Sequence, residues 1–351
     1  MKRAAVAGLC VVALVLLSSC ARRIETVSTD ELADDQAALE GMQAAAGAPL
    51  TLAVIPKGTT HEFWKSVHAG AVKAAQELGV EIIWKGPLNE DDRDEQIKVV
   101  EDMIGRGVNG IVLAPLDDTT LRLPVEEANR VGIPVVIIDS DLENASYVSF
   151  VATDNFHGGQ IAGQYLADLL EGKGKLVMLR YAEGSVSTNN REEGFLDIMA
   201  LYDDLDVVSS DQHGGATTES AYQASENLLA PLKTPSGGLS IDGIFCPNES
   251  TTFGMLRALR DAGLAGKVKF VGFDSSERLV DALRAGQISG LVLQDPMNMG
   301  YLGVKTLVQH LRGEEVEQQI STGENLATSE NMDEPRMKEL LQPDFARWLN
   351  E

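Results

Sequence analysis

Residues 57–66 read KGTTHEFWKS. A lysine, an imidazole, a carboxylate and two adjacent aromatics stand between an apolar run, LTLAVIP, and a helical-looking stretch, VHAGAVKAAQELG. Aromatics make up only 5% of the chain, and large rings are normally buried. Phe63 and Trp64 at a strand-to-helix junction therefore need a reason. Other polar groups recur in the same setting. Ala114-Pro115 follows GIVL, Asp139-Ser140-Asp141 follows PVVII, and YAEGSVSTNNREEGF follows KLVMLR, with Arg191 opening a helix. Pro247-Asn248-Glu249 follows IDGIFC, Phe273-Asp274 follows VKFVG, and Gln294-Asp295-Pro296 follows GLVL. A carboxylate accepts hydrogen bonds from vicinal hydroxyls, an amide both donates and accepts, and Arg donates in a fork. Aromatic faces pack on the C–H faces of a sugar ring. Together these groups suit recognition of a polyol. Asp, Asn and Ser at any one of these positions could equally cap a helix. Seven such positions on the same edges weaken that simpler reading.

The elements that must place these residues alternate. Strand patterns at 50–55, 80–84, 110–115, 133–139 and 147–152 are interleaved with helical patterns at 62–78, 93–106 and 121–131. The series restarts with helix 156–170, strand 175–180, helix 190–202, strand 205–210 and helix 219–229. Strand IDGIFC, helix 251–262, strand 268–274, helix 276–285, strand 288–294 and helix 297–311 follow. Continuous apolar strands between amphipathic helices predict α/β architecture with parallel sheets covered on both faces. Two such series predict two doubly wound lobes, and ligands of such folds lie beyond the carboxyl ends of the strands.

The chain is 351 residues, long enough for two domains. Its first residues read as an export signal. Lys2 and Arg3 precede the apolar AAVAGLCVVALVLL, which is short for a membrane span. Leu17-Ser18-Ser19-Cys20 resembles the bacterial lipobox, which implies cleavage before Cys20 and lipidation of that residue. Residues 20–49, rich in Ala, Glu, Asp and Gln, then form a lipidated tether. The net charge is −24, and loss of Lys2 and Arg3 makes it more negative. Such a chain is repelled by nucleic acid and anionic membranes, so attachment rests on the lipid anchor only. Of the three cysteines, Cys246 alone would remain unmodified, most simply as a buried packing thiol. No metal-ligand spacing and no G-x-S-x-G, H-E-x-x-H, P-loop or G-x-G-x-x-G stands where an enzyme would need it. No cofactor is implied.

With these residues in view, the chain resembles the type I periplasmic sugar-binding proteins of ABC transporters, the class that includes ribose-binding proteins. The matching motifs are K-x-x-x-H-x-F-W, IVLAP, GIPVVIIDS, VATDN-x-x-GG-x-x-AG, NREEGF, FCPNE, FVGFDSS and LVLQDPMNMGYLGV, in order over residues 50 to about 322. The closing ENMDEPRMKELLQP is similar to tails of some members. The resemblance implies ligand contacts at His61, Phe63, Trp64, Asp139, Arg191, Asn248, Phe273, Asp274 and Gln294. Phe63 and Trp64 would stack on the ring from one lobe, with Phe273 and Asp274 on the other. It also implies a three-stranded hinge near 153–154, 294–295 and 321–325. The N-terminal lobe is then 50–153 plus 295–322, and the C-terminal lobe is 154–294 plus 323–351. Ala114, Ser140 and Lys57 depart from the ribose pattern of Asn, Arg and a small hydroxyl residue. Lys57 and Ser140 become further candidate contacts, with a carboxylate partner for Lys57 an equal alternative. A larger, modified or acidic sugar stays open. The implied function is delivery of a sugar or polyol to an ABC permease; the same fold could instead present ligand to a membrane sensor kinase.

Overall fold

The computed structural model describes residues 49–349. The export signal, Cys20 and almost all of the expected tether lie outside the described residues. Among them no helix is long and apolar enough to cross a membrane, and no group of three His, Cys, Asp or Glu could hold a metal ion.

Two six-stranded sheets carry the fold. The first lobe contains β1 (Thr51–Ile55), β2 (Glu81–Trp84), β3 (Gly110–Leu113), β4 (Val135–Ile138) and β5 (Ser149–Ala152). It is covered by α1 (Glu62–Leu78), α2 (Arg93–Gly105) and α3 (Arg122–Arg130). The second lobe contains α4 (Asn155–Leu169), β6 (Lys173–Arg180), α5 (Val186–Met199), β7 (Asp204–His213) and α6 (Thr218–Leu229). It continues with β8 (Gly243–Phe245), α7 (Glu249–Asp261), β9 (Lys269–Phe273), α8 (Glu277–Arg284) and β10 (Gly290–Gln294). Then come α9 (Pro296–Leu311), β11 (Gln319–Ser321), β12 (Glu324–Ala327), α10 (Pro335–Leu341) and α11 (Ala346–Leu349). The sheet orders are β11-β5-β4-β3-β1-β2 and β12-β10-β9-β8-β6-β7. All pairings are parallel except β10 with β12.

The central strands are apolar on both faces because both faces are covered. Along β1, Leu52 and Val54 join the core under α1 and α9, while Ala53 and Ile55 join the core under α2 and α3. The second sheet divides likewise, with Phe270 in one core and Val271 and Phe273 in the other. The free thiol of Cys246 is buried in that packing. Two helix crossings bring backbones together. A methyl at Gly70 would overlap the carbonyl of Met297, and one at Gly300 that of Val67, so α1 and α9 meet through glycine. Gly159 faces the Arg191 carbonyl and Gly194 that of Phe156 in the same way, joining α4 to α5. The second crossing fixes the height of Arg191.

The chain passes between the sheets after β5, after β10 and between β11 and β12. A fourth passage was not expected. Met337, Leu340 and Leu341 of α10 join the second lobe's core, yet α11 packs on α1 of the first. Helix α5 also starts at Val186 rather than at 190, which places Ser187 and Thr188 in its first turn.

Candidate functional site

The carboxyl ends of both sheets face one cavity of about 30 Å³ between the lobes, roughly the room of two waters. Asp139 follows β4 and Asp274 follows β9, at equivalent places in the two sheet orders. Each has a left-handed backbone, with φ of 65° and 66°, held by an N–H donated to the neighbouring strand, at Val151 O and Val292 O. A positive φ is uncommon outside glycine and tolerated by Asp. Its recurrence at both positions turns two carboxylates toward the cleft.

Lys57 stands two residues beyond the end of β1 and is 3% exposed. Its Nζ lies 2.7 Å from Asp139 Oδ2 and donates to Ser140 Oγ at 2.7 Å and Ser187 Oγ at 3.2 Å. The lysine is therefore paired with a carboxylate, and Ser140 serves it from behind the cavity wall. His61 Nδ1 lies 2.6 Å from Glu90 Oε1, which also accepts from Trp64 Nε1 at 2.6 Å. Tyr181, from the other lobe, donates to Glu90 Oε2 at 2.7 Å. Burial alone would lower the imidazolium pKa, but the Glu90 charge overrides it and raises it well above the ordinary value. Burial would raise Glu90, yet His61, Tyr181 and Lys57 hold it below the usual carboxylate range. Phe63 and Trp64 meet edge to face at 4.8 Å. Both belong to the first lobe's core while lining the cavity.

Arg191 is buried. Its Nε donates to Asn155 Oδ1 at 2.8 Å and its Nη1 to Pro247 O at 3.0 Å. Nη1 stands 3.8 Å from Asp274 Oδ2, and Nη2 has no partner. Asp274 accepts from Gln294 Nε2 at 2.6 Å and from Glu249 N–H at 3.0 Å. Burial raises its pKa, and Arg191 and Gln294 offset part of that rise. Gln294 is fixed by Thr153 Oγ1 at 2.9 Å. Asn248 caps α7 by accepting from Thr251 N–H while its edge lines the cavity. Glu249 accepts from the N–H groups of Phe63 at 3.3 Å and Glu62 at 3.5 Å. Burial pushes its pKa up to about 7, His61 pulls against that, and Asp274 adds to it.

Lys57 and every residue implied by the resemblance except Phe273 line this cavity. Phe273 is a correction: its ring is fully buried in the second lobe's core. It lies 4.1 Å beneath the Arg191 guanidinium, so it stacks on that cation and not on a ligand. Glu90, Tyr181, Ser185, Ser187, Thr188 and Glu249 also line the cavity, and sequence reasoning did not single them out. Glu249 stood in the FCPNE motif beside Asn248. Glu90 stood in the NEDD run, which reads as a helix start; only the sheet geometry carries it back to Trp64.

A family profile described as periplasmic binding protein domain matches residues 52–315. The chain belongs to that family. The ribose import binding protein of Haemophilus influenzae is 30% identical over 279 residues, 80% of this chain and 91% of the relative. Among solved structures, a carbohydrate transporter solute-binding protein from Agrobacterium radiobacter, in complex with D-arabinose, is 34% identical with a TM-score of 0.79. It covers 84% of this chain and all of that one. An ABC transporter solute-binding protein from Agrobacterium vitis with bound D-fucose is 34% identical, with a TM-score of 0.78 over 83% of this chain and 99% of that one. These periplasmic binding protein relatives are binding subunits of transporters, not enzymes.

Proposed function

We propose that the cleft captures a sugar or sugar-like polyol and that the protein hands it to an ABC permease. The carrying observation is the Arg191 Nη2 group, buried and unpartnered on a residue that lines the cavity. A buried donor without an acceptor is costly, and a hydroxyl or ring oxygen would satisfy it. Asp139 and Asp274 would accept ligand hydroxyls from the two lobes, Asn248 and Gln294 would read further hydroxyls, and Phe63 and Trp64 would cover the apolar face. Relatives that import ribose or bind D-arabinose and D-fucose support this class of ligand, and their import role favours a permease over a sensor kinase. The cavity is too small to admit a sugar without the lobes parting, so capture proceeds by hinge opening and closure. Export with a lipid at Cys20 completes the reading: a tethered domain feeding a transporter at the envelope.

A thermal-shift screen against sugars and polyols tests this. Ligand at a hundredfold over its dissociation constant should stabilise by about 2.7 kcal/mol. For the sugar so found, calorimetric titration of Asp274→Ala should show a loss of about 2–4 kcal/mol in affinity. Unchanged affinity would remove Asp274 from the site.

A further inference from the structure

The cations of the cleft are already committed. Lys57 is 2.7 Å from Asp139 and His61 is 2.6 Å from Glu90. Arg191 faces Asp274 and lies over the Phe273 ring. Glu249 is the fourth carboxylate of the wall. Among the described residues no lysine, arginine or histidine forms an ion pair with it. Its contacts are the backbone N–H groups at the start of α1. Those groups carry only the partial positive charge of a helix N-terminus. Above about pH 7, where the Glu249 carboxyl is ionised, three cations thus face four carboxylates in this cleft.

We propose that Glu249 sets the charge selectivity of this cleft, admitting neutral and amine-bearing polyols and rejecting sugars that carry a carboxylate or phosphate. The inference rests on the sugar-binding reading and narrows it. An anionic substituent would bring a fifth negative charge with no free counter-ion. It could be paired only by breaking one of the three existing pairs, which leaves a buried carboxylate behind. The open Nη2 donor of Arg191 does not supply that counter-ion, because its guanidinium already faces Asp274; it asks for one acceptor, which a neutral hydroxyl provides. A ligand ammonium would give Glu249 the cationic partner it lacks. Of the options the sequence leaves open, this proposal selects against the acidic sugar.

The test uses matched sets on one scaffold: D-galactose, D-galacturonate and D-galactosamine, and the corresponding D-glucose set, titrated calorimetrically against the exported chain at about pH 7.5, where Glu249 is mostly ionised and His61 keeps its proton. On whichever scaffold binds, the uronate should bind at least about a hundredfold more weakly than the neutral sugar, and the amine within about tenfold of it or better. In Glu249→Gln the ratio of neutral to uronate affinity should fall by about tenfold or more. A uronate that binds as well as the neutral sugar overturns the proposal on the wild-type protein alone, whether or not the variant folds. A ratio unchanged in a folded Glu249→Gln also overturns it. Silence from every member of both sets, and from the wider neutral library, removes the sugar reading itself.

Discussion

Lys57 shows how much a single residue's meaning depends on its partners. As a cation at a cleft mouth it could have met the ligand; its 2.7 Å pair with Asp139 and its three serine acceptors commit it to the protein. Lys57→Met should therefore destabilise the unliganded protein by about 3–5 kcal/mol, because it leaves Asp139 buried without a counter-ion. The double variant Lys57→Met/Asp139→Asn, which removes the buried charge and keeps a residue tolerant of the left-handed backbone at 139, should recover much of that loss in urea unfolding. Glu249 makes a second prediction. Its carboxyl is raised from 4.5 to about 7, so the folded state holds the proton more tightly than the unfolded chain does. Its contribution is then least unfavourable at low pH and worsens as pH rises from 4.5 toward 7, by about 3 kcal/mol at most. His61, raised above 6.5, stabilises fully below that value and loses its effect above it. Glu90, lowered below 4.5, stabilises fully above that value. Between 4.5 and 6.5 the His61–Glu90 contribution is therefore flat. In that window Glu249→Gln should flatten the decline in unfolding free energy seen for wild type.

At the level of elements, three helices that begin near the cleft lack caps of their own. Helices α1, α5 and α8 begin at His61, Ser185 and Ser276, none of which makes a side-chain cap. Each is served from the opposite lobe. Glu249 accepts from the start of α1, Ser140 accepts from Ser187 N–H at 3.1 Å, and Glu62 accepts from Glu277 N–H at 3.2 Å. Helices α2, α4, α6 and α9, by contrast, are capped by Asp92, Asp154, Thr217 and Asp295 from their own chain ends. Closure thus completes three helices that opening would leave short of acceptors. Glu62→Ala should cost the closed state roughly 0.5–2 kcal/mol. Since ligand is held by the closed state, the same loss should appear as weaker sugar affinity in titration, with little change in the unfolding of either lobe.

For the molecule as a whole, the fourth passage between the lobes bears on the hinge. Helix α10 is anchored by core residues and by Arg336, 2.6 Å from Asp295 where β10 gives way to α9. Four residues later α11 lies against α1, with Trp348 within 5.9 Å of Lys73. A segment fixed to both lobes resists their separation. Truncation after Gln342 should enlarge the radius of gyration of the unliganded protein in small-angle scattering. It should also weaken sugar binding by about tenfold or less, since only the opening equilibrium changes.

Much of this was legible in the chain. Both parallel sheets follow from apolar strands of four to five residues such as VVII and GIVL, buried on both faces. The positions after those strands pointed to the cleft because an α/β sheet leaves its ligand edge there. What local sequence could not show was pairing across distance. Glu90 joins Trp64 from 26 positions away, Lys57 reaches Ser187 over 130, and Glu249 reaches Phe63 over 186. The resemblance implies a ligand contact at Phe273 beside Asp274, but the two side chains part: Asp274 lines the cleft and the preceding ring lies in the core. The sequence determines the types of group at the rim, since propensity and periodicity are local. Which carboxylate neutralises which cation, and so which one is left over, is decided by tertiary structure, because charge balance in a buried site depends on distances that no stretch of sequence contains.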